Sequence, residues 1–246
     1  MPPNGGGWAT MTSRERKPMS LGVMVSLDAV NTFVRAVAEP RLNGMFNPWG
    51  QDCTTDIRPR GFLDRQVRLA WHLGLETPRV AVIGEAPGYQ GCRYSGVAFT
   101  SERLLIDGSI PMVPTTGRIT TRPLPWSEPS ATIVWRVLYE LGLAESAVLW
   151  NAVPWHPIGS GGIHSNRPPT PVEVAAGLPF LESLLAIYPG TNVVAVGNTA
   201  DASLSRLGVR HARIRHPANG GATKFRDGLR AIYLGGAVPA ADGGKS

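Results

Sequence analysis

Cysteine is nearly absent. Cys53 and Cys92 are the only two in 246 residues, and neither sits in a Cys-x-x-Cys pair. That scarcity excludes a four-cysteine zinc or iron–sulfur site made by this chain, so neither metal nor cofactor is expected. A disulfide between the two is disfavoured in a reducing compartment. Long apolar runs are missing as well. None approaches the roughly 20 residues that cross a bilayer, so no membrane contact is expected. The start of the chain has Gly5-Gly6-Gly7 and then Arg14, Arg16 and Lys17, without the apolar stretch of a secretory signal. The expected location is cytoplasmic.

Acidic residues are sparse in one place. Between Arg206 and Arg230 the chain carries Arg206, Arg210, Arg213, Arg215, Lys224, Arg226 and Arg230 against the single acid Asp227. With a net charge of +6 and a pI near 9.8, the chain is attracted to polyanions. The local excess fits contacts to a phosphate backbone, and equally a solvated basic surface.

The length and a 43% share of hydrophobic residues suffice for one well-filled α/β domain over 21–234, between flexible ends at 1–20 and 235–246. Ser26 reads as the N-cap of a helix running to Ala38, and a second helix is expected over Leu63–Leu73. Four short apolar runs read as buried strands: Arg79–Gly84, Ala147–Asn151, Asn192–Gly197 and Ala212–Arg215. Helical segments separate or follow them at Ser130–Leu141, Pro171–Ile187, Thr199–Leu207 and Thr223–Ile232. Such alternation predicts a central four-stranded parallel sheet flanked by helices. The stretch 107–130 is rich in Pro, Thr and Gly and is expected to be a surface loop, with a lid as one role for it.

In a parallel α/β sheet the ligand lies beyond the carboxyl ends of the strands. That rule selects three motifs. The first strand ends in Gly84-Glu85-Ala86-Pro87-Gly88, with Phe99 a few residues on. No Gly-Lys-Ser/Thr follows and the glycine spacing is not that of a dinucleotide fingerprint. The loop suits close approach of a flat ligand, with Phe99 as a stacking face; a tight turn beside a core phenylalanine is the plainer reading. The second strand ends in Asn151, whose amide offers a donor and an acceptor to the edge of a base; a turn-capping role is the alternative. The fourth ends in Arg215-His216-Pro217-Ala218-Asn219-Gly220-Gly221. His216 there is either a donor to a developing anion or a structural histidine. The small residues after it suit entry into a narrow groove.

In that order, the Gly-x-x-Pro loop, the phenylalanine, the asparagine and the His-Pro loop resemble the uracil-DNA glycosylase superfamily. The likeness covers Val80 to Leu229. Gly84–Gly88 and Asn166–Glu173 most resemble its thermostable iron–sulfur branch, but the four cluster cysteines are missing. Trp155 and Gly177 fall near where two of them belong. The best-known branch has an aspartate third in the first motif, and another an asparagine, to orient the attacking water; here Ala86 stands there, leaving Glu85 as candidate or as a brace. The tyrosine that excludes thymine is replaced by Gly88, with Tyr89 and Tyr94 as possible substitutes.

The resemblance implies a monomeric enzyme that flips uracil out of DNA and hydrolyses its glycosidic bond. It assigns catalysis to Glu85 and His216, and base binding to Gly84, Ala86, Pro87, Gly88, Phe99 and Asn151. DNA contact falls to Arg215, Pro217, Ala218, Asn219, Gly220, Gly221 and Lys224. A covalent uracil-DNA binder, a glycosylase for hypoxanthine or xanthine, and a Rossmann-like phosphate binder are the competing readings. The covalent branch carries a basic insert ending in a nucleophilic histidine, and Thr115–Pro125 here contains Arg118 and Arg122 but no histidine.

Overall fold

The computed structural model describes residues 26–234; the expectations for 1–20 and 235–246 lie outside the described residues. In chain order the elements are α1 (Leu27–Ala38), β1 (Met45–Phe46), α2 (Gly61–Leu73), β2 (Val80–Gly84), α3 (Cys92–Ser95) and α4 (Glu102–Ile106). There follow α5 (Pro129–Glu140), a 3-10 turn at Ala144–Ser146, β3 (Ala147–Asn151), β4 (His156–Gly159), β5 (Gly162–Asn166) and α6 (Pro171–Ile187). The chain ends with β6 (Asn192–Val196), α7 (Asn198–Arg206), β7 (Ala212–Ile214) and α8 (Ala222–Leu234).

β3, β2, β6 and β7 form a four-stranded parallel sheet in that order. Alternate side chains go to opposite faces, and both faces are covered. Ala81, Ile83, Val148, Trp150 and Ala195 meet α1, α2, α6 and α7, while Val80, Val82, Leu149, Val194 and Ile214 meet α5 and α8. This is why the strands are continuously apolar in sequence. The outer strand β3 is blunted by a side chain: buried His72 accepts the Leu149 N–H at 2.9 Å. Burial takes this histidine down to about 4, so it is a neutral acceptor.

Helix starts follow the capping chemistry. The Ser26 hydroxyl accepts the Ala29 N–H. Thr170 and Glu173 form a reciprocal capping box at α6, and Glu173 also takes a two-pronged ion pair from Arg167. Both cysteines are buried and free.

Two features were not expected from the sequence. A small antiparallel sheet, ordered β1-β4-β5, stands beside the main one. Against it, Arg93 of α3 donates to His156 Nδ1 at 2.8 Å, which leaves Nε2 as the protonated nitrogen, donating to the Ser165 carbonyl at 3.0 Å. The stretch 107–130 is also held more tightly than a lid. Buried Glu102 accepts from the backbone N–H groups of Ile119, Thr120 and Trp126, from the Thr120 hydroxyl and from Arg118. Burial raises the Glu102 carboxyl, but these five donors outweigh it and hold the group below the usual carboxylate range.

Candidate active site

The three motifs meet at the carboxyl edge of the main sheet. Gly84 and Asn151 are directly paired in the β2–β3 register. Pairing continues past the strands, with Ala152 N–H donating to Gly84 O at 2.8 Å and Val153 N–H to Glu85 O at 2.9 Å. Gly84 is a steric necessity. A Cβ there would lie 2.5 Å from Cζ of Phe99 and 2.7 Å from Oδ1 of Asn151. Phe99 has a left-handed backbone, φ 50°. For a bulky residue this conformation is uncommon and costs on the order of 1–3 kcal/mol. It brings the ring back against the strand ends, where it is 7% exposed and packs partly into the core. The ring thus belongs to the core and also lies directly against Gly84 at the strand end. Asn151 is 5% exposed, yet among the described residues no hydrogen bond occupies its side-chain amide. The amide is available to a ligand edge.

His216 follows β7, with its ring centroid 6.3 Å from that of Phe99. The Ala218 N–H donates to His216 Nδ1 at 3.1 Å, so in the neutral ring the proton sits on Nε2. Burial lowers the His216 pKa, as does Arg215, while the Glu85 carboxylate opposes the shift. The net direction favours the neutral tautomer. The loop after it is compact. Asn219 and Gly220 both have positive φ, and a Cβ at Gly221 would lie 2.0 Å from the His216 carbonyl oxygen. Pro217 and Gly221 are buried and shape the loop, whereas Arg215, Asn219, Gly220 and Lys224 are exposed.

Glu85 is half-buried, and among the described residues its carboxylate has one hydrogen-bond partner, the Thr199 hydroxyl, which donates to Oε2 at 2.5 Å. Thr199 lies in the first turn of α7, where the helix dipole favours an anion. Ala86 packs against the apolar cluster under the sheet and presents no polar group. Pro87 is buried. Tyr94 is fully buried and stacked on Trp126, with ring centroids 5.3 Å apart, so its ring is committed to packing. Tyr89 lies edge-on to the same Trp126 at 5.6 Å, and its N–H donates to Asn166 Oδ1.

Sequence reasoning missed three residues at this site. Thr199 is one, although it follows the third strand by only three residues. Asn166, which holds the Tyr89 amide, is another. The third is Glu128. Its carboxyl lies against the first-motif loop, with Oε1 3.1 Å from where a Gly88 Cβ would stand and Oε2 1.8 Å from a Gly91 Cβ. Ser130 donates to Oε1 at 2.9 Å, and burial pushes the Glu128 pKa up to about 7. The signal for it was thin: a lone acid before a Pro-initiated helix.

The two positions nearest the missing cluster cysteines are core positions. The Trp155 indole is 2% exposed and donates to Val37 O. Gly177 is buried, and a Cβ there would lie 2.3 Å from the Ala152 carbonyl oxygen. Neither residue offers a side-chain ligand to iron.

A model of the uracil DNA glycosylase superfamily matches residues 72–233, well over half of the chain. The chain belongs to the uracil DNA glycosylase superfamily. Curated proteins yield no match. Among solved structures, the crystal structure of wild-type Pedobacter heparinus SMUG2 superposes with a TM-score of 0.62 at 15% identity, covering 85% of this chain and 97% of that one. This likeness confirms the α/β fold with its four-stranded parallel sheet. Superfamily membership supports a DNA glycosylase, a repair hydrolase that acts on DNA.

Proposed function

We propose that this glycosylase excises uracil from DNA and leaves an abasic site, acting as a cytoplasmic monomer without a cofactor. The observation that carries the reading is the unoccupied Asn151 amide, set between Gly84, Phe99 and a histidine whose donor nitrogen is fixed. A base inside a duplex is out of reach, so the nucleotide is flipped out, at a cost of a few kcal/mol. Phe99 stacks on the extruded ring. Asn151 Oδ1 accepts from uracil N3–H and Nδ2 donates to O4. Cytosine inverts both partners and is rejected, since an unpaired buried polar group costs about 1–3 kcal/mol.

As the glycosidic bond breaks, the sugar becomes cationic and the departing uracil anionic. His216 Nε2–H donates to O2 as that charge grows; one preorganised donor of this type is worth about 3–4 kcal/mol. Glu85, fixed by Thr199, faces the sugar cation and orients water. The exposed Arg215 and Lys224, with the Pro217–Gly221 loop between them, engage the phosphates and the groove.

A second reading, a wider range of deaminated bases, is favoured by Ala86 and Gly88, which leave small side chains where the best-known branch of the superfamily has larger ones. One panel separates the two. Single-stranded and duplex oligonucleotides bearing uracil, hypoxanthine, xanthine or thymine are incubated with the enzyme, treated with alkali and run on a denaturing gel. Cleavage confined to uracil supports the first reading. Cleavage of hypoxanthine or xanthine strands supports the second, and a stable shifted adduct would overturn both in favour of covalent trapping.

A further inference from the structure

α2 carries an apolar row that nothing among the described residues covers. Leu63, Val67 and Trp71 recur every fourth residue on one helix face and are 38%, 54% and 50% exposed. Ile57, just before the helix, is 53% exposed. Single exposed apolar residues are ordinary, but a continuous row with an aromatic end marks an interaction surface. Val67 also lines a cavity of about 140 Å³, so row and cavity are one surface.

The cavity is strongly charged. Arg58, Arg68 and Arg118 line it against the single carboxylate of Asp64. Arg58 is spent on Asp64 and Arg118 on Glu102. Arg68 has no carboxylate of its own. It is 5% exposed, its Nε donates to Ser95 O at 2.6 Å and one Nη to Tyr94 O, and among the described residues its Nη1 makes no hydrogen bond. On the same lining, the buried Thr116 hydroxyl lacks a partner. With the Arg68 Nη1 and the Thr116 hydroxyl each lacking a hydrogen-bond partner among the described residues, and three arginines lining the cavity against one carboxylate, the lining favours an anionic oxygen acceptor. Burial and the neighbouring Arg65 lower the Arg68 pKa to about 10, against the opposing pull of the Asp64 and Asp56 carboxylates.

We propose that this surface docks an acidic peptide segment of another protein, placing a carboxylate in the arginine cavity and apolar side chains along Leu63, Val67 and Trp71. DNA satisfies only half of the surface, because a phosphate backbone gains nothing from Val67 and Trp71. Neither end of the chain carries an acidic excess. Residues 1–25 carry Arg14, Arg16 and Lys17 against Glu15, and residues 235–246 carry one Asp and one Lys.

The test uses the full-length protein and three fluorescein-labelled peptides read by anisotropy. One has the sequence Asp-Asp-Glu-Leu-Phe-Glu-Leu, one replaces its acids with lysine, and one replaces Leu and Phe with serine. The acidic–apolar peptide should bind at least about tenfold tighter than either control, a margin near 1.4 kcal/mol. Arg58→Glu and Trp71→Ala are both on the surface and outside the catalytic pocket. Each should weaken this peptide about tenfold while uracil excision stays at the wild-type rate. Equal binding of the three peptides, or retention of affinity in both variants, overturns the proposal. So does displacement of the peptide by uracil-free duplex, which would assign the arginines to DNA phosphate. Self-association in sedimentation that Trp71→Ala abolishes would also overturn it, by giving the row to a second copy.

Discussion

The pocket is held by two different means on its two sides. On the strand side, Gly84, Asn151 and Phe99 are fixed by shape: the register sets Asn151 opposite Gly84, and the Phe99 ring fills the space a Cβ would take. On the loop side, Glu85 and His216 are each fixed by a single hydrogen bond, from the Thr199 hydroxyl and the Ala218 N–H. Steric fixation tolerates almost no substitution. Hydrogen-bond fixation tolerates change at the anchoring residue, at a cost that scales with what the anchored group does. The difference suggests that base recognition is the rigid half of this enzyme and charge stabilisation the adjustable half.

The strand side offers the severest test. Gly84→Ala forces a methyl into contacts of 2.5 and 2.7 Å. Overpacking of this kind costs about 1–3 kcal/mol, and relief moves either the stacking ring or the reading amide. Excision should fall below detection, and the melting temperature should drop. An enzyme with Gly84→Ala and wild-type single-turnover rates would show that Phe99 and Asn151 do not form the base site.

Next in size comes the loop side. On the proposed mechanism His216→Ala removes the donor to the leaving base and should slow single-turnover excision roughly 10²–10³-fold. Glu85→Ala should cost about tenfold, since the dissociative step needs the carboxylate less than the donor. Comparable or reversed losses would sink this division of labour. Asn151→Asp tests discrimination rather than rate. An ionised carboxylate offers no donor to O4, whereas protonated it can match cytosine, so excision of cytosine relative to uracil should rise. An unchanged ratio would remove Asn151 as the reader.

Much of this was legible in the sequence, for a reason that also explains the omissions. The four parallel strands lie within a residue of their expected bounds, because burial on both faces leaves an unbroken apolar run. β4 and β5 escape that logic: β4 contains Pro157 and its neighbours read as turn residues, while β5 alternates between exposed and half-buried positions. α3 and α4 have four and five residues, too few to show a helical period. At the candidate site, Gly84, Glu85, Asn151 and His216 were selected by position at strand ends, and the structure brings them together at one edge of the sheet. Thr199 and Glu128 were not, because their roles depend on long-range contacts that no local pattern encodes.

Thr199→Val sharpens the comparison at smaller amplitude. Losing one hydrogen bond to a carboxylate costs about 1.5–3 kcal/mol at most where the bond is fully used. The effect on excision should therefore be modest and should vanish in a Glu85→Ala background, where the hydroxyl has nothing to hold. Additive losses in that double-mutant cycle would mean that Thr199 acts through something other than Glu85.

Glu128 is the smallest expected effect on rate and a case that fits neither side, because a charge-capable group there supports the loop by filling space. Its carboxyl is enclosed beside Gly88 and Gly91, and burial raises its pKa from 4.5 to about 7. The folded state thus holds a proton that the unfolded chain releases above about 4.5. Stability from this group is complete below that value and is lost as pH rises towards 7. His72 and His156 act in the opposite sense. Burial takes both to about 4, helped at His156 by Arg93, so each adds stability as pH rises from about 4 to 6.5. The wild-type profile mixes these three with other shifted groups, His216 and Glu102 among them, but a difference isolates one. Stability of Glu128→Gln minus wild type, measured by urea denaturation, should climb between pH 5 and about 7 and level off above, with the Gln amide still occupying the space beside the loop. A difference that stays flat across that window would mean that Glu128 is ionised in the fold. The first-motif loop would then be held by charge on this flank, and the contrast between shape and hydrogen bonding would stop at the strand ends.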